Sequence, residues 1–174
     1  STYEEDCYFW REILKKVIFV DDDLQEILET KSLYWNDDLN TMGTFVLKTI
    51  KQFSSKPDTA SIQPMYKDEE DREFGERLFD CTVREYEENN SIIDRFIQKE
   101  QWDVERIALM DRIVLGVALS EIKNFDEIPT KVTMNEFIEI GKYYSTPKSG
   151  QFINGILISA INYLKDSGRI TKEI

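Results

Sequence analysis

Residues 102–122 read WDVERIALMDRIVLGVALSEI, which is the most strongly helical stretch of the chain. Apolar residues recur in this stretch at steps of three and four, as they do on one face of an α-helix. The apolar positions are Val104, Ile107, Ala108, Met110, Ile113, Val114, Val117, Ala118 and Ile122. Because this apolar surface is broad, the pattern predicts a central helix that is mostly buried.

Downstream of this helix, local signals predict two more. Thr133 and Glu136 have the S/T-x-x-E spacing of a capping box, which marks the start of a helix. Pro147 fits the first position of a last helix, since its missing N–H is no loss there. Gly168 fits the end of that helix because glycine accepts a left-handed backbone. The chain after residue 122 is therefore predicted to be helical.

Upstream, acidic runs precede apolar residues at helical spacing. The runs Asp21–Asp23, Asn36–Asp38 and Asp68–Asp71 are predicted to cap helices and to favour their positive ends. Residues 7–18 form an earlier apolar stripe, from Cys7 to Ile18. The pair Asn89–Asn90 is predicted to end one helix before another begins. No segment alternates as a strand does, so the helical pattern extends over nearly the whole chain.

The predicted fold is all-α, a bundle of about seven to eight helices in two packed subdomains. Residues 54–64 contain Ser, Pro, Asp and Thr but few large apolar side chains, so we interpret them as a loop that joins the subdomains. This places an N-terminal helical subdomain at residues 1–66 and a C-terminal bundle at residues 67–174.

The composition excludes several kinds of chemistry. The 174 residues contain no His, so Ser-His-Asp triads, Cys-His pairs and imidazole bases are impossible. The two cysteines, Cys7 and Cys81, are far apart and form no CxxC, which gives a zinc or redox site no support. The aspartate runs are better explained as helix caps than as metal ligands. We expect no enzyme, no metal and no cofactor.

Charge limits the partners. A net charge of −12 argues against a free-standing nucleic-acid binder, because phosphate affinity comes from clustered Lys and Arg. The acidic excess lies almost entirely in residues 1–101. Between residues 128 and 155, three lysines (131, 142 and 148) outnumber two glutamates (136 and 139), which is either a local basic region or an ordinary solvated surface. No apolar stretch approaches the roughly 20 residues that span a bilayer, so we expect a cytoplasmic protein.

Residues 128–157, IPTKVTMNEFIEIGKYYSTPKSGQFINGIL, resemble the signature of the NusB transcription antitermination family. The shared features are a Pro, a Lys-Val, an Asn-Glu and a K-S-x-x-F-x-N-G start to the last helix. Residues 102–122 resemble the preceding core helix of that family through Asp111, Arg112 and Glu121. The resemblance is strongest over residues 68–166, and the longer N-terminal part is compatible with an extended form.

The resemblance implies an all-helical assembly factor without catalysis. Such a factor pairs with NusE, a protein of the small ribosomal subunit, and binds boxA RNA in nascent transcripts. It acts in the RNA polymerase antitermination complex and promotes transcription of ribosomal RNA operons.

The resemblance also assigns site residues. RNA contacts fall on Lys131, Lys142, Tyr144, Lys148, Phe152 and Asn154. Phe152 and Tyr144 match aromatic positions near RNA, where a ring can stack on an unpaired base; a core position for Phe152 is the alternative. The acidic residues Glu105 and Asp111 match positions that face NusE, with solvated helix charges as the alternative. Gly155 is expected to permit close helix packing.

Two departures from the family pattern bear on function. The chain opens STYEEDCYFW, which is acidic and aromatic where the family has an Arg-rich segment, and Gly116 stands where many members have an Arg. RNA binding is therefore expected to be shared with a partner. Two alternatives stay open: a protein-binding helical module without RNA binding, and a NusB-like domain of an RNA-modifying enzyme.

Overall fold

The computed structural model describes residues 2–32, 35, 38–55, 62–99 and 107–172. Within these ranges the regular structure is helical throughout, which confirms the predicted all-α fold. The chain forms two compact units, Ser1–Lys67 and Asp68–Ile174. None of the described helices is both long and apolar enough to cross a membrane.

The first unit contains α1 (Tyr3–Ile13), a short π-helical segment (Leu14–Ile18), α2 (Asp22–Lys31) and α3 (Asp38–Ser55). Asp21 caps α2 as predicted, since its carboxylate accepts a hydrogen bond of 2.7 Å from the Leu24 amide. α1 and the π-helical segment both pack against α3. The apolar stripe predicted over residues 7–18 is only partly buried: Cys7 is buried, whereas Trp10 and Val17 are exposed.

The second unit contains five helices, α4 (Glu69–Arg84), α5 (Tyr86–Lys99), α6 (Leu109–Asn124), α7 (Thr130–Tyr144) and α8 (Ser149–Asp166). α6 contacts each of the other four, so the predicted central helix is confirmed, although it begins only at Leu109. Its predicted N-terminal part, including Val104, lies outside the described residues. The core consists mainly of aliphatic side chains from α5, α6 and α8.

The ends of the helices test the capping predictions. Asp68 caps α4 by accepting a 2.9 Å hydrogen bond from the Asp71 amide, as predicted. Gly168 follows α8 with a φ of 69°, which confirms it as the stop. The capping box at Thr133 is wrong, because α7 already begins at Thr130 and the Thr133 side chain is buried inside the helix. α8 begins two residues after Pro147, at Ser149.

The predicted break at Asn89 and Asn90 is also wrong. α5 runs through both residues, and the junction with α4 lies at Glu85. The Asn89 side chain is buried, and its amide donates to the Gly116 carbonyl at 3.1 Å and to the Ser120 hydroxyl at 2.8 Å. These two bonds satisfy the NH2 group of the side chain inside the core, so Asn89 fits within the helix, although its Oδ1 atom has no hydrogen-bond partner among the described residues. Asn36 and Asp37, two residues of another predicted cap, lie outside the described residues.

Candidate nucleic-acid interface

The C-terminal half of α7 lies close against the start of α8. A Cβ added at Gly150 would lie 3.1 Å from the Cγ of Lys142, so the alkyl chain of Lys142 extends over the first turn of α8. The ammonium group of Lys142 forms an ion pair with Glu139. Lys148 is the N-cap residue of α8, and its side chain is exposed. The structure thus brings Lys142 and Lys148 to the same end of α8.

A cavity of about 130 Å³ lies beside the start of α8, and we call it the α8 cavity. Its lining residues are Ile107, Ala108, Asp111, Thr146, Lys148, Ser149 and Phe152. Phe152 is only 6% exposed and belongs to the hydrophobic core. The open-surface stacking expected of this ring is therefore restricted, because little of Phe152 is exposed where it borders the α8 cavity.

Asp111 lies in the first turn of α6 and also lines the α8 cavity. The residue is 5% exposed, and its Oδ1 atom has no hydrogen-bond partner in the described part of the chain. The family resemblance assigned Asp111 to a surface that faces NusE, but its burial leaves little of the residue for a flat protein contact. Instead, Asp111 shares a cavity with Lys148 and Phe152. Glu105, the other residue of that assignment, lies outside the described residues.

The positive end of α8 contributes to the electrostatics of the α8 cavity. The buried Ser149 hydroxyl accepts a 3.0 Å hydrogen bond from the Thr146 amide, which fixes the turn that leads into the helix. Lys148, the N-cap, makes no side-chain capping bond. The N-terminus of a helix carries a partial positive charge that favours anions. Together with Lys142 and Lys148, it suits a phosphate group.

Three of the predicted RNA residues lie away from the α8 cavity. Lys131 is exposed in the first turn of α7, so it is about 16 Å along the helix from Lys142. Asn154 is half-buried and two positions after Phe152, which turns it to another face of α8. Tyr144 is 46% exposed at the last position of α7 and does not line the cavity.

Tyr143 is a candidate that the sequence analysis missed. It is 83% exposed near the end of α7, next to Tyr144. The pair of adjacent tyrosines was the available signal, since neighbouring helical residues point in different directions and one of the pair has to face outward. An exposed aromatic ring beside basic residues can stack on an unpaired base.

Comparisons with known proteins identify the family. The NusB family model matches residues 37–162, which is well over half of the chain. The chain belongs to the NusB family. Among similar proteins is the transcription antitermination protein NusB of Salinibacter ruber, 41% identical over 109 residues, which are 63% of this chain and 67% of that protein. The NusB protein of Natranaerobius thermophilus is 41% identical over 90 residues, covering 51% of this chain and 65% of that protein.

A third relative, the NusB protein of Chloroherpeton thalassium, is 40% identical over 87 residues, which cover 49% of this chain and 41% of that protein. The matched part of the chain thus spans about two thirds or less of these relatives. A solved structure of T. maritima NusB aligns with 93% of this chain and 92% of its own at 22% identity, with a TM-score of 0.42. The family match begins at residue 37, so the NusB likeness extends upstream of residue 68 and includes α3.

Proposed function

We propose that this NusB-family chain acts as a transcription antitermination factor without catalytic activity. In this role it binds boxA RNA together with NusE, within the RNA polymerase antitermination complex, and promotes transcription of ribosomal RNA operons. The family membership and the names of the similar proteins support the antitermination role.

The observation that carries RNA binding is the α8 cavity with its charged rim. Lys148 lines this cavity, Lys142 lies over the same end of α8, and the helix adds a partial positive charge there. Lys148 and the helix N-terminus attract phosphates even on an acidic protein, since screening limits the reach of distant charges to about 10 Å at 0.1 M salt. Of the two carboxylates near this site, Glu139 is paired with Lys142 and Asp111 is buried. Tyr143 and Tyr144 add exposed rings nearby in sequence.

The test is fluorescence anisotropy of labelled boxA RNA titrated with the full chain, with and without NusE, at two salt concentrations. Lys148→Gln should weaken binding and lower the salt slope by about 0.7, the value for one lost phosphate contact on a single strand. Lys165→Gln is the matched control, because Lys165 lies on the same helix about 25 Å away. Absence of RNA binding both with and without NusE would refute the proposal.

Phe152 requires a conservative substitution in these experiments. Phe152→Ala would remove a core ring and cost about 3 to 5 kcal/mol of folding stability, which would mask any effect on RNA. Phe152→Leu keeps an apolar side chain of similar bulk and removes only the ring. A loss of RNA affinity in this variant, with thermal unfolding near that of the wild type, would support contact between the ring and a base.

A second candidate function is protein binding without RNA. A groove of about 100 Å³ on the second unit supports it, because the lining is mainly apolar and includes the exposed side chains of Tyr86, Leu109 and Ile113. Apolar surface of this kind favours a protein partner. Under this alternative, NusE binds the chain, and no RNA binds to the wild type or to Lys148→Gln in the titration described above.

A further inference from the structure

We propose that a polar pocket between α5 and α8 binds a free α-amino acid through its carboxylate and its ammonium group. This inference goes beyond the proposed function and does not depend on RNA binding. The pocket has a volume of about 370 Å³, and we call it the α5–α8 pocket. It belongs to the second unit alone and shares no lining residue with the α8 cavity. Its lining residues are Arg95, Phe96, Ser159, Asn162, Tyr163 and Asp166.

Arg95 supplies the positive charge of the α5–α8 pocket. Its Cζ atom lies 4.4 Å from the centre of the Tyr163 ring, so the guanidinium is held over an aromatic surface. The adjacent carboxylate of Asp94 pairs with Arg112 at 2.7 Å, and Arg95 forms no ion pair in the described part of the chain. Because a guanidinium can bind a carboxylate through two parallel N–H groups, Arg95 suits a ligand with a free carboxylate.

Asp166 supplies a negative charge to the same pocket. It is the last residue of α8, and its side chain is exposed. Among the described residues, Asp166 pairs neither with Arg95 nor with any other cation. Two opposite charges that line one pocket without pairing favour a ligand that lies between them and carries the complementary charges. In an α-amino acid, the carboxylate matches Arg95 and the ammonium group matches Asp166.

Ser159 and Asn162 add neutral hydrogen-bonding groups to the pocket. Residues 159, 162 and 166 follow one another at steps of three and four, so their side chains lie on one side of α8. A hydroxyl group donates and accepts hydrogen bonds, and a side-chain amide offers two donors and an acceptor. These two residues can therefore bond either end of a zwitterion without changing the charge of the pocket.

The balance of charge distinguishes this ligand from a phosphate or a nucleic acid. Arg169 also lies near the Tyr163 ring, at 5.8 Å, but its charge is balanced by Glu88 at 2.7 Å. Arg95 and Asp166 balance each other, so the pocket lacks the net positive charge that phosphates require. Its volume also falls within the range of roughly 300 to 1,000 Å³ that is typical of small-molecule sites.

The experiment is a titration of the isotope-labelled full chain, followed through its backbone amide signals by two-dimensional NMR. The probes are L-alanine, propionate, which lacks the amino group, and ethylamine, which lacks the carboxylate. Each probe is added to the wild type, to Arg95→Gln and to Asp166→Asn. Arg77→Gln is one matched control, because Arg77 lies over the Phe125 ring at 4.8 Å. Asp80→Asn is the other, because Asp80 is an exposed aspartate on α4.

We expect L-alanine to shift the amide signals of residues 159–166 in a saturable manner. The wild type should bind it about tenfold more tightly than propionate or ethylamine, since each of these lacks one charged hydrogen-bonding group. Arg95→Gln should bind L-alanine no more tightly than ethylamine, and Asp166→Asn no more tightly than propionate. Both control variants should retain the affinities of the wild type.

Several outcomes would overturn the inference. Equal wild-type affinities for L-alanine and propionate would reduce the pocket to a simple anion site. Amide signals of residues 159–166 that stay unchanged up to the solubility limit of L-alanine would show that the pocket does not bind it. Equal losses of affinity in the pocket variants and the controls would indicate unspecific binding. A lower unfolding temperature with equal losses for all three probes would assign Arg95 or Asp166 to folding alone. None of these results bears on RNA binding, so the proposed function is tested separately.

Discussion

The Cδ1 methyl of Ile153 occupies the space that a side chain at Gly141 would need. A Cβ built on Gly141 would lie 2.2 Å from that methyl carbon, far inside van der Waals contact. Gly141 belongs to α7 and Ile153 to α8, so the two helices approach this closely only because residue 141 has no side chain. The same approach positions the end of α7 beside the start of α8.

Gly141→Ala is expected to destabilise the chain. Ile153 is completely buried in the core, so any shift of its Cδ1 methyl has to be accommodated by the core side chains around it. Overpacking of this kind costs roughly 1 to 3 kcal/mol, which exceeds the gain in helix propensity from Gly to Ala. Equilibrium unfolding in urea measures the difference. Unchanged stability would mean that the contact between α7 and α8 adjusts freely.

Gly155→Ala is expected to have the opposite effect. Gly155 is an exposed residue of α8, and a Cβ added there meets no atom within 4 Å, so the close packing predicted at this position is wrong. Replacing glycine inside a helix by alanine stabilises it by roughly 0.5 to 1 kcal/mol. The variant therefore also serves as the control for Gly141→Ala in the same urea experiment. Equal losses in both variants would contradict the packing argument.

Asn89→Ala is expected to lower the free energy of unfolding by roughly 1 to 3 kcal/mol. The substitution removes the donors to the Ser120 hydroxyl and the Gly116 carbonyl and leaves a buried hydroxyl with one partner fewer. Asn90→Ala is the matched control, since Asn90 is the next residue and only half-buried, and its effect should stay within about 0.5 kcal/mol. Similar losses for both variants would argue against a specific role of the buried amide.

The contrast between Asn89 and Asp68 explains which parts of the fold the sequence predicts. The Asp68 carboxylate accepts a hydrogen bond from an amide three residues away, so the local sequence is enough to predict that it caps a helix. Asn89 depends on residues 27 and 31 positions further along the chain, which no local pattern reveals. The capping box predicted at Thr133 is wrong for a similar reason. The spacing of a capping box is present, but Thr133 is buried within a helix that starts earlier.

The candidate site was predicted in part for the same physical reason. The motif around Lys148 and Phe152 is continuous in sequence, and both residues line the α8 cavity. Asp111 is 37 positions before Lys148, and only the packing of α6 near the start of α8 brings the two together. The resemblance to the family therefore grouped Asp111 with a protein-facing surface. Burial, which decides between these roles, follows from tertiary structure.

Glu121 is expected to make stability depend on pH. Glu121 is 6% exposed within α6, and burial raises the pKa of its carboxyl group. The Thr133 hydroxyl and then Lys172 oppose this rise, whereas Glu136 adds to it. The Thr133 hydroxyl has no hydrogen-bond partner in the described part of the chain, so burial dominates the shift of the Glu121 pKa. A raised pKa in the folded state means that folding favours the protonated form. The stability from Glu121 is thus present below the ordinary value of about 4.3 and is lost as the pH rises through the raised pKa.

Glu121→Gln removes this titration and keeps the shape of the side chain. We expect the variant to gain stability relative to the wild type as the pH is increased through that window, as measured by urea unfolding at several pH values. Glu76→Gln is the control, because Glu76 is exposed on α4. A constant difference between Glu121→Gln and the wild type across the pH range would show that burial does not shift the pKa in the proposed direction.

Tyr143→Ala is expected to weaken RNA binding with little effect on folding. The ring is 83% exposed, so its removal costs the core nothing, and stacking on an unpaired base contributes roughly 1 to 3 kcal/mol. Tyr86→Ala is the matched control, since Tyr86 is also an exposed tyrosine but lies on α5 in the apolar groove. Anisotropy titration of labelled boxA RNA in the presence of NusE measures both variants. Equal RNA affinities for Tyr143→Ala and the wild type would exclude the ring from the interface. A loss of RNA affinity confined to Tyr86→Ala would instead indicate that RNA binds at the groove on α5 and α6.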